Sequence, residues 1–187
     1  MGTPDADLAA AAARGDRRAL EDLLDRHTDR VFAICRRVLI DREDALDATQ
    51  EALIAVARRI GTFDGRAQFT TWLYRVAMNA ALDESRRRAR RPLPIDLNTD
   101  RASADVPIDS LVADRVDVDA ALATIPVEFR AAVALRDLGG LDYADIAEIL
   151  GIPPGTVRSR IARGRAALAD RLGNRDDPSH RHTERST

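Results

Sequence analysis

Residues 142–172 read DYADIAEILGIPPGTVRSRIARGRAALADRL, and this stretch decides the fold. Asp142 is a good helix cap, and Tyr143, Ile146, Ala147, Ile149 and Leu150 give the short helix behind it an apolar side. Gly151 suits the left-handed position that closes such a helix. After Ile152-Pro153-Pro154, a last helix is predicted from about Gly155 to Leu172, with Val157, Ile161, Leu168 and Leu172 inward. A short helix, a glycine turn and a polar-faced second helix make a helix-turn-helix, whose second helix enters a DNA major groove. With the apolar set inward, Arg158, Ser159, Arg160 and Arg163 project elsewhere, and arginine pairs bidentately with guanine edges or with phosphates. From Pro154 to Arg165 there are four Arg and no acid, a local charge of +4 that ordinary surface solvation does not explain well.

Working towards the N-terminus, Pro126 opens a helix carrying Phe129, Val133 and Leu138, ended by Gly139-Gly140, and Val118, Leu122 and Ile125 mark one more turn before it. Between about Arg91 and Ser110 no helical stripe survives: Pro92, Pro94 and Pro107 stand among Asp, Asn, Ser and Thr. Upstream of that break, three helices are expected to bundle. One is capped by Asp16 and buries Leu20, Leu23, Leu24, Val31, Ile34, Val38 and Leu39. The next begins at Asp41, turns Ala45, Ala48, Ala52, Leu53, Val56 and Ile60 inward, and stops at Gly61. The third runs from about Thr70 to Arg88 on Trp72, Leu73, Val76, Ala77 and Ala80.

The expected architecture is therefore all-α: a helical domain over 5–91, a flexible acidic linker over 92–113, a helix-turn-helix (winged-helix-like) domain over 114–172 and a disordered tail over 173–187. The whole chain of 187 residues has formal net charge −2, yet its charge is segregated. Residues 72–91 carry six Arg against two acids, and 92–119 carry seven Asp against two Arg. Two basic segments flanking an acidic bridge suit a polyanionic partner. All 29 basic residues are arginine.

Other classes find little support. The longest apolar run, Leu8 to Ala13, is far short of the ~20 residues of a membrane span, and the first residues lack the basic region and apolar core expected of a secretory signal. The single cysteine, Cys35, cannot form an internal disulfide and is expected to be buried; the cytoplasm is the default compartment. His27 lacks a catalytic partner pattern, no Cys/His set offers a metal its ligands, and no glycine-rich phosphate loop is present, so neither an enzyme nor a cofactor is expected. Arg75, Asn79, Leu82 and Arg86 share one stripe of the third helix, roughly opposite Leu73, Val76 and Ala77. Trp72 shares a stripe with the core, whereas Phe63, in a loop between glycines, is open to burial or to stacking on an unpaired base. A stand-alone regulator, with residues 1–91 for sensing or dimerisation, is the alternative that the residues leave open.

Taken together these motifs resemble an extracytoplasmic-function (ECF, group IV) sigma factor of the sigma-70 family. Asp47-Ala48-Thr49-Gln50-Glu51 resembles the segment by which such factors grip the polymerase clamp. Phe63-Asp64-Gly65-Arg66, Phe69 to Ala77, then Asn79, Asp83 and Arg86-Arg87-Arg88 resemble the module that opens and holds the −10 element. Ile125-Pro126, Tyr143, Ile146-Ala147, Leu150-Gly151 and Gly155-Thr156-Val157-Arg158-Ser159-Arg160, with Arg163 and Arg165, resemble the −35-reading module. The resemblance implies contacts to core RNA polymerase (the clamp of β′ through Asp47, Gln50 and Glu51, and the flap of β) and to promoter DNA. It places Thr156, Arg158, Ser159, Arg160, Arg163 and Arg165 at −35, and Phe63, Asp64, Arg66, Arg75, Asn79, Arg86 and Arg87 at −10. It also implies control by an anti-sigma factor, and the −5 charge over residues 92–119 leads to the expectation that the acidic linker threads a basic channel of the enzyme. There are departures: Leu46 stands where an acid is usual, Ala48 and Leu53 replace larger residues, and Asp142 replaces Ser or Thr. Gly164 stands where Ala is common and is expected to loosen its helix by up to ~1 kcal/mol.

Overall fold

The computed structural model describes residues 3–90 and 118–173, all of whose regular structure is helical. The expected linker over 92–113 and residues 174–187 of the expected tail lie outside the described residues, whereas Gly173 ends the last helix. In chain order the helices are α1 (Asp5–Ala13), α2 (Arg17–Leu39), α3 (Arg42–Arg59), α4 (Phe69–Arg90), α5 (118–123), α6 (Val127–Asp137), α7 (Tyr143–Leu150) and α8 (Pro154–Gly173).

Aspartate caps fix three of the starts. Asp16 Oδ1 accepts from the N–H groups of Arg18 and Ala19 at 3.0 and 3.1 Å, Asp41 Oδ1 from Glu43 and Asp44 at 2.9 and 3.2 Å, and Asp142 Oδ1 from Asp145 at 2.8 Å. Each bond satisfies amides that a helix leaves unpaired at its first turn. A single 3₁₀ turn, Ile60–Thr62, replaces the sharp stop expected at Gly61.

The first half is a four-helix rather than a three-helix bundle. The extra member is α1, which buries Leu8, Ala9 and Ala12. Its pattern is nearly all alanine, so it carries little periodic signal, and small side chains let it lie close to α2 and to the 3₁₀ turn. Asp5 fastens it by an ion pair to Arg26 and a hydrogen bond with His27 Nε2, the latter at 2.7 Å. The bundle core is Leu23, Val31, Ile34, Val38, Val56, Leu73 and Met78, all at most 1% exposed. Leu20, Leu24 and Leu53 sit at its margin, half-buried.

In the second half Leu135, Ile146, Val157 and Ile161 close the core, while Leu172, expected inward, is 36% exposed because α8 runs on past its supporting helices. Gly164 has a packing role that the expectation of a loosened helix leaves out. It is buried where α8 crosses α6, and a Cβ there would stand 2.7 Å from Val133 Cγ2 and 3.5 Å from Phe129 Cβ. Whatever helix propensity glycine forfeits, its missing side chain sets the α6–α8 approach.

The two halves are packed on each other. Arg36 and Arg37 of α2 both pair with Asp119 of α5, at 2.7 and 3.3 Å. Arg30 donates to the Leu138 carbonyl, and Arg75 of α4 pairs with Glu148 of α7.

Candidate nucleic-acid and polymerase interface

The recognition half is built around Gly151, whose φ of +63° and ψ of 36° place it in the left-handed region that glycine adopts without strain. The Ile152 N–H then closes onto the Ala147 carbonyl at 3.1 Å, the six-to-one bond of a Schellman turn. This reverses the chain into α8 with Val157 and Ile161 locked inward, 0% and 3% exposed. Of the residues predicted to face DNA, Arg158, Ser159, Arg163 and Arg165 are exposed, and Thr156 and Arg160 are half-buried. Arg158 lies over the Tyr143 ring at 5.7 Å, a cation–π contact that holds the guanidinium at the turn. The Ser159 hydroxyl donates to the Thr156 carbonyl at 2.9 Å, which leaves its lone pairs to accept. Arg165 pairs with Asp137, whereas Arg160 and Arg163 have no acid partner among the described residues.

On α4 the predicted stripe is less uniform. Asn79 and Arg86 are exposed, but Arg75 and Leu82 are half-buried against the second half of the molecule. Its arginines are mostly paired: Arg86 with Asp83 at 2.7 Å, Arg87 with the buried Glu84 at 2.9 Å, and Arg88 with Asp41 and Asp44. The Arg88 guanidinium is held further above its ordinary pKa chiefly by its hydrogen bond to Asp44.

The 63–68 loop has a buried root and an open tip. Phe63 is half-buried, with ring centroids 5.8 Å from both Phe69 and Trp72, and Phe69 in turn is 5.6 Å from His27. Phe63 thus anchors the loop, and Trp72 belongs to the core margin. At the tip, Asp64 Oδ1 accepts from the Arg66 N–H at 3.1 Å, Gly65 takes a φ of +72°, and Asp64 and Arg66 stay exposed. Between this tip and Ala6, Ala10 and Ala13 of α1 lies a groove of about 560 Å³.

Asp47, Gln50 and Glu51 are exposed on the outer side of α3. Flanking them are Leu46, noted above as a departure, and Ile54, which the sequence reading did not single out; they are 45% and 38% exposed. With Gln50 they stand at i, i+4 and i+8, a signal available in the sequence but hidden by the stronger inward stripe of Ala45, Ala48, Ala52 and Val56. Leu46 and Ile54 thus place apolar surface beside the acids of α3. Cys35 is fully buried, as expected, and desolvation pushes its thiol up to about 11, partly offset by the Thr49 hydrogen bond, so it stays protonated at neutral pH. No helix among the described residues is long and apolar enough to cross a membrane, and none of their His, Cys, Asp and Glu residues group as a metal site.

Comparison with known proteins agrees with this layout. Sigma-70 region 2 matches residues 23–91, and Sigma-70 region 4 matches residues 115–168. The chain is 39% identical over 170 residues to the ECF RNA polymerase sigma factor SigM of Mycobacterium tuberculosis (strain ATCC 25618 / H37Rv), covering 90% of this chain and 85% of that protein. It is 35% identical over 176 residues to the RNA polymerase sigma-H factor of Pseudomonas aeruginosa, covering 88% and 91%. Among solved structures, CnrH in complex with the cytosolic domain of CnrY superposes with a TM-score of 0.70 at 25% identity, over 92% of this chain and 99% of that one. With its two helical halves, its arginine-bearing helix-turn-helix and relatives matched along most of their length, the chain belongs to the ECF sigma factors of the sigma-70 family.

Proposed function

We propose that this protein binds core RNA polymerase in the cytoplasm and directs it to a specific set of promoters, with α8 reading duplex DNA at −35 and the α4–loop surface opening and holding the −10 element. The observation that carries the reading is the pairing of two arginine-bearing surfaces in one chain, one on a helix-turn-helix and one along α4, whose N-terminal end adjoins a loop groove. Arg158 and Arg163 are exposed on α8 and free to enter a groove, half-buried Arg160 reaches it from the side turned towards α4, Thr156 and Ser159 add shorter polar contacts, and Arg165 reaches phosphate after leaving Asp137. At −10, Asn79, Arg86 and Arg87 follow the strand, and the groove behind Asp64 and Arg66 takes an unpaired base. Phe63 acts there as the loop's anchor rather than as a free stacking platform, since its ring is engaged with Phe69 and Trp72.

Asp47, Gln50 and Glu51, with Leu46 and Ile54, form the face offered to the clamp of β′, and the second domain sits on the flap of β. An anti-sigma factor covering these surfaces holds the protein inactive until a signal releases it. The domain limits that suit this division are 5–91 and 114–172, joined by the acidic segment 92–113. Run-off transcription from a promoter library, with core polymerase and with or without this protein, tests the reading beside a binding assay of the protein alone. Protein-dependent specific transcripts with weak binding by the protein alone are expected; tight sequence-specific duplex binding without polymerase, and no new transcript, would replace it with a stand-alone regulator.

A further inference from the structure

Where the end of α2, the start of α3, α4 and α6 come together, a cavity of about 690 Å³ is lined by four arginines, Arg36, Arg42, Arg88 and Arg130, against two acids, Asp41 and Glu43. Arg36, Arg42 and Arg130 are not among the residues assigned above to promoter or polymerase. Two of the four cations are engaged: Arg36 pairs with Asp119 at 2.7 Å, and Arg88 with Asp41 and Asp44. Arg42 and Arg130 have no acid partner among the described residues. The Arg42 guanidinium lies 5.8 Å from the centre of the Phe32 ring. Arg130 Nη1 donates to the Leu122 carbonyl at 3.2 Å, while its Nε is buried without a hydrogen-bond partner among the described residues. Arg130 is half-buried, and burial lowers its pKa more than the charge of Glu128 raises it. A guanidinium taken out of water with no carboxylate beside it carries a cost that a bound anion removes.

The backbone at the cavity is strained as well. Ile40 has φ +66° and ψ −50°, the one non-glycine residue at positive φ among the described residues, and the Asp41 N–H closes onto the Leu39 carbonyl at 2.7 Å. This is a γ-turn of the rare, strained hand, on a β-branched residue that resists it. It reverses the chain so that Arg36 and Arg42, on successive helices, meet at one cavity. Strain of this kind concentrates at ligand clamps and switch regions.

We infer that the cavity binds a small anion carrying adjacent phosphate groups, held by Arg42 and Arg130 with Arg36 and Arg88 beside them. Guanidinium groups pair with phosphate oxygens through two parallel N–H donors, and four cations against two acids leave +2 for the ligand to neutralise. The volume falls in the range of roughly 300–1,000 Å³ of small-molecule sites, and Leu39, Ile40 and Ala123 give it an apolar wall. Inorganic pyrophosphate and a nucleoside diphosphate share the chemistry that this lining recognises. The inference stands apart from the promoter reading, since it needs neither DNA nor polymerase.

Isothermal titration calorimetry of the full chain with pyrophosphate, ADP and GDP, at one fixed ionic strength, tests it. Pyrophosphate should bind saturably, raise the melting temperature, and bind about ten-fold more weakly to Arg42→Gln and to Arg130→Gln. Arg42 is exposed, so its variant reports on the site even if Arg130→Gln misfolds, and circular dichroism checks both. Because α8 also offers cations without acid partners, Arg160→Ala combined with Arg163→Ala is the control and should bind pyrophosphate as the parent does. Equal affinities assign the site to phosphate groups alone, and tighter binding of the nucleoside diphosphates adds a base on the apolar wall; either result supports the site. Absence of saturable binding overturns it, as does binding that Arg42→Gln and Arg130→Gln retain and the α8 variant loses. Sulfate competing as well as pyrophosphate at matched ionic strength means an adventitious ion only, and overturns it too.

Discussion

The two arginine-rich helices, α4 and α8, carry similar charge in opposite states. On α4 the cations are paired: Arg75 with Glu148, Arg86 with Asp83, Arg87 with Glu84, and Arg88 with Asp41 and Asp44. On α8, Arg158 rests on an aromatic ring, and Arg160 and Arg163 have no acid partner among the described residues; Arg165 alone of these four is paired. The cause is in the sequence, since Asp83 and Glu84 stand three residues before Arg86 and Arg87, whereas Pro154 to Arg165 contains no acid. On the proposed function, a paired helix must exchange partners before it meets DNA, so its contribution would come late and be conditional. An unpaired one repels itself until phosphates arrive and would then release counterions, supplying immediate affinity.

The largest expected effect lies outside both helices and tests whether they act together. Reversing charge at Asp47 and Glu51 to Arg should lower core-dependent initiation by about a hundred-fold, the loss expected when charges at an interface are opposed, with circular dichroism unchanged. If initiation survives, the two helices do not need the α3 face. Next, Arg158→Ala or Arg160→Ala should each cost about 1–3 kcal/mol of −35 binding within the polymerase complex, measured by competition. Arg163→Ala should reduce the salt slope by about one without altering sequence preference. If the comparison holds, Arg86→Ala on α4 should change −35 discrimination by nothing measurable.

Smaller effects probe the scaffold beneath α8. Gly164→Ala places a methyl 2.7 Å from Val133 Cγ2, so a gain of up to ~1 kcal/mol in helix propensity is set against overpacking of about 1–3 kcal/mol. A net loss of about 1 kcal/mol is expected by thermal melting, and Val133→Ala in the same chain should recover part of the strain. The smallest effect concerns Asp145, whose carboxyl is held above its ordinary pKa by burial first and then by Asp142 and Glu148. A folded-state pKa above the unfolded one makes the ionised carboxylate a cost at neutral pH, and stability rises as pH falls through that range. Asp145→Asn should therefore raise the melting temperature slightly at pH 7, an advantage that disappears in acid.

How far the sequence discloses these features depends on how local their causes are. Asp16, Asp41 and Asp142 mark helix starts because each side chain bonds amides two or three residues on, an effect confined to one turn. Gly151 is readable for the same reason, its φ being positive. Helix α1 escapes because alanines bury well without making a stripe, and its fastening through Asp5 to Arg26 and His27 spans more than twenty residues. Gly164 looks like a defect from the sequence, since Val133 and Phe129, which give it its purpose, lie on another helix. The α4 stripe is legible as a spacing, yet the half-burial of Arg75 and Leu82 under α7 is not, because no periodicity encodes which acid in a distant segment will find an arginine. At the candidate site, the outward positions of Asp47, Gln50, Glu51, Arg158 and Arg163 follow from helical phase alone.

The central claim is that the two arginine surfaces work on one promoter only when polymerase holds both halves of the protein. Footprinting of a promoter recovered by run-off transcription, with this protein alone, with core alone and with both, tests it directly. Protection over both the −35 and −10 elements only when protein and core are present together, with unpaired bases at −10, is the predicted result. Protection of a duplex site by the protein alone, unchanged when core is added, would contradict it.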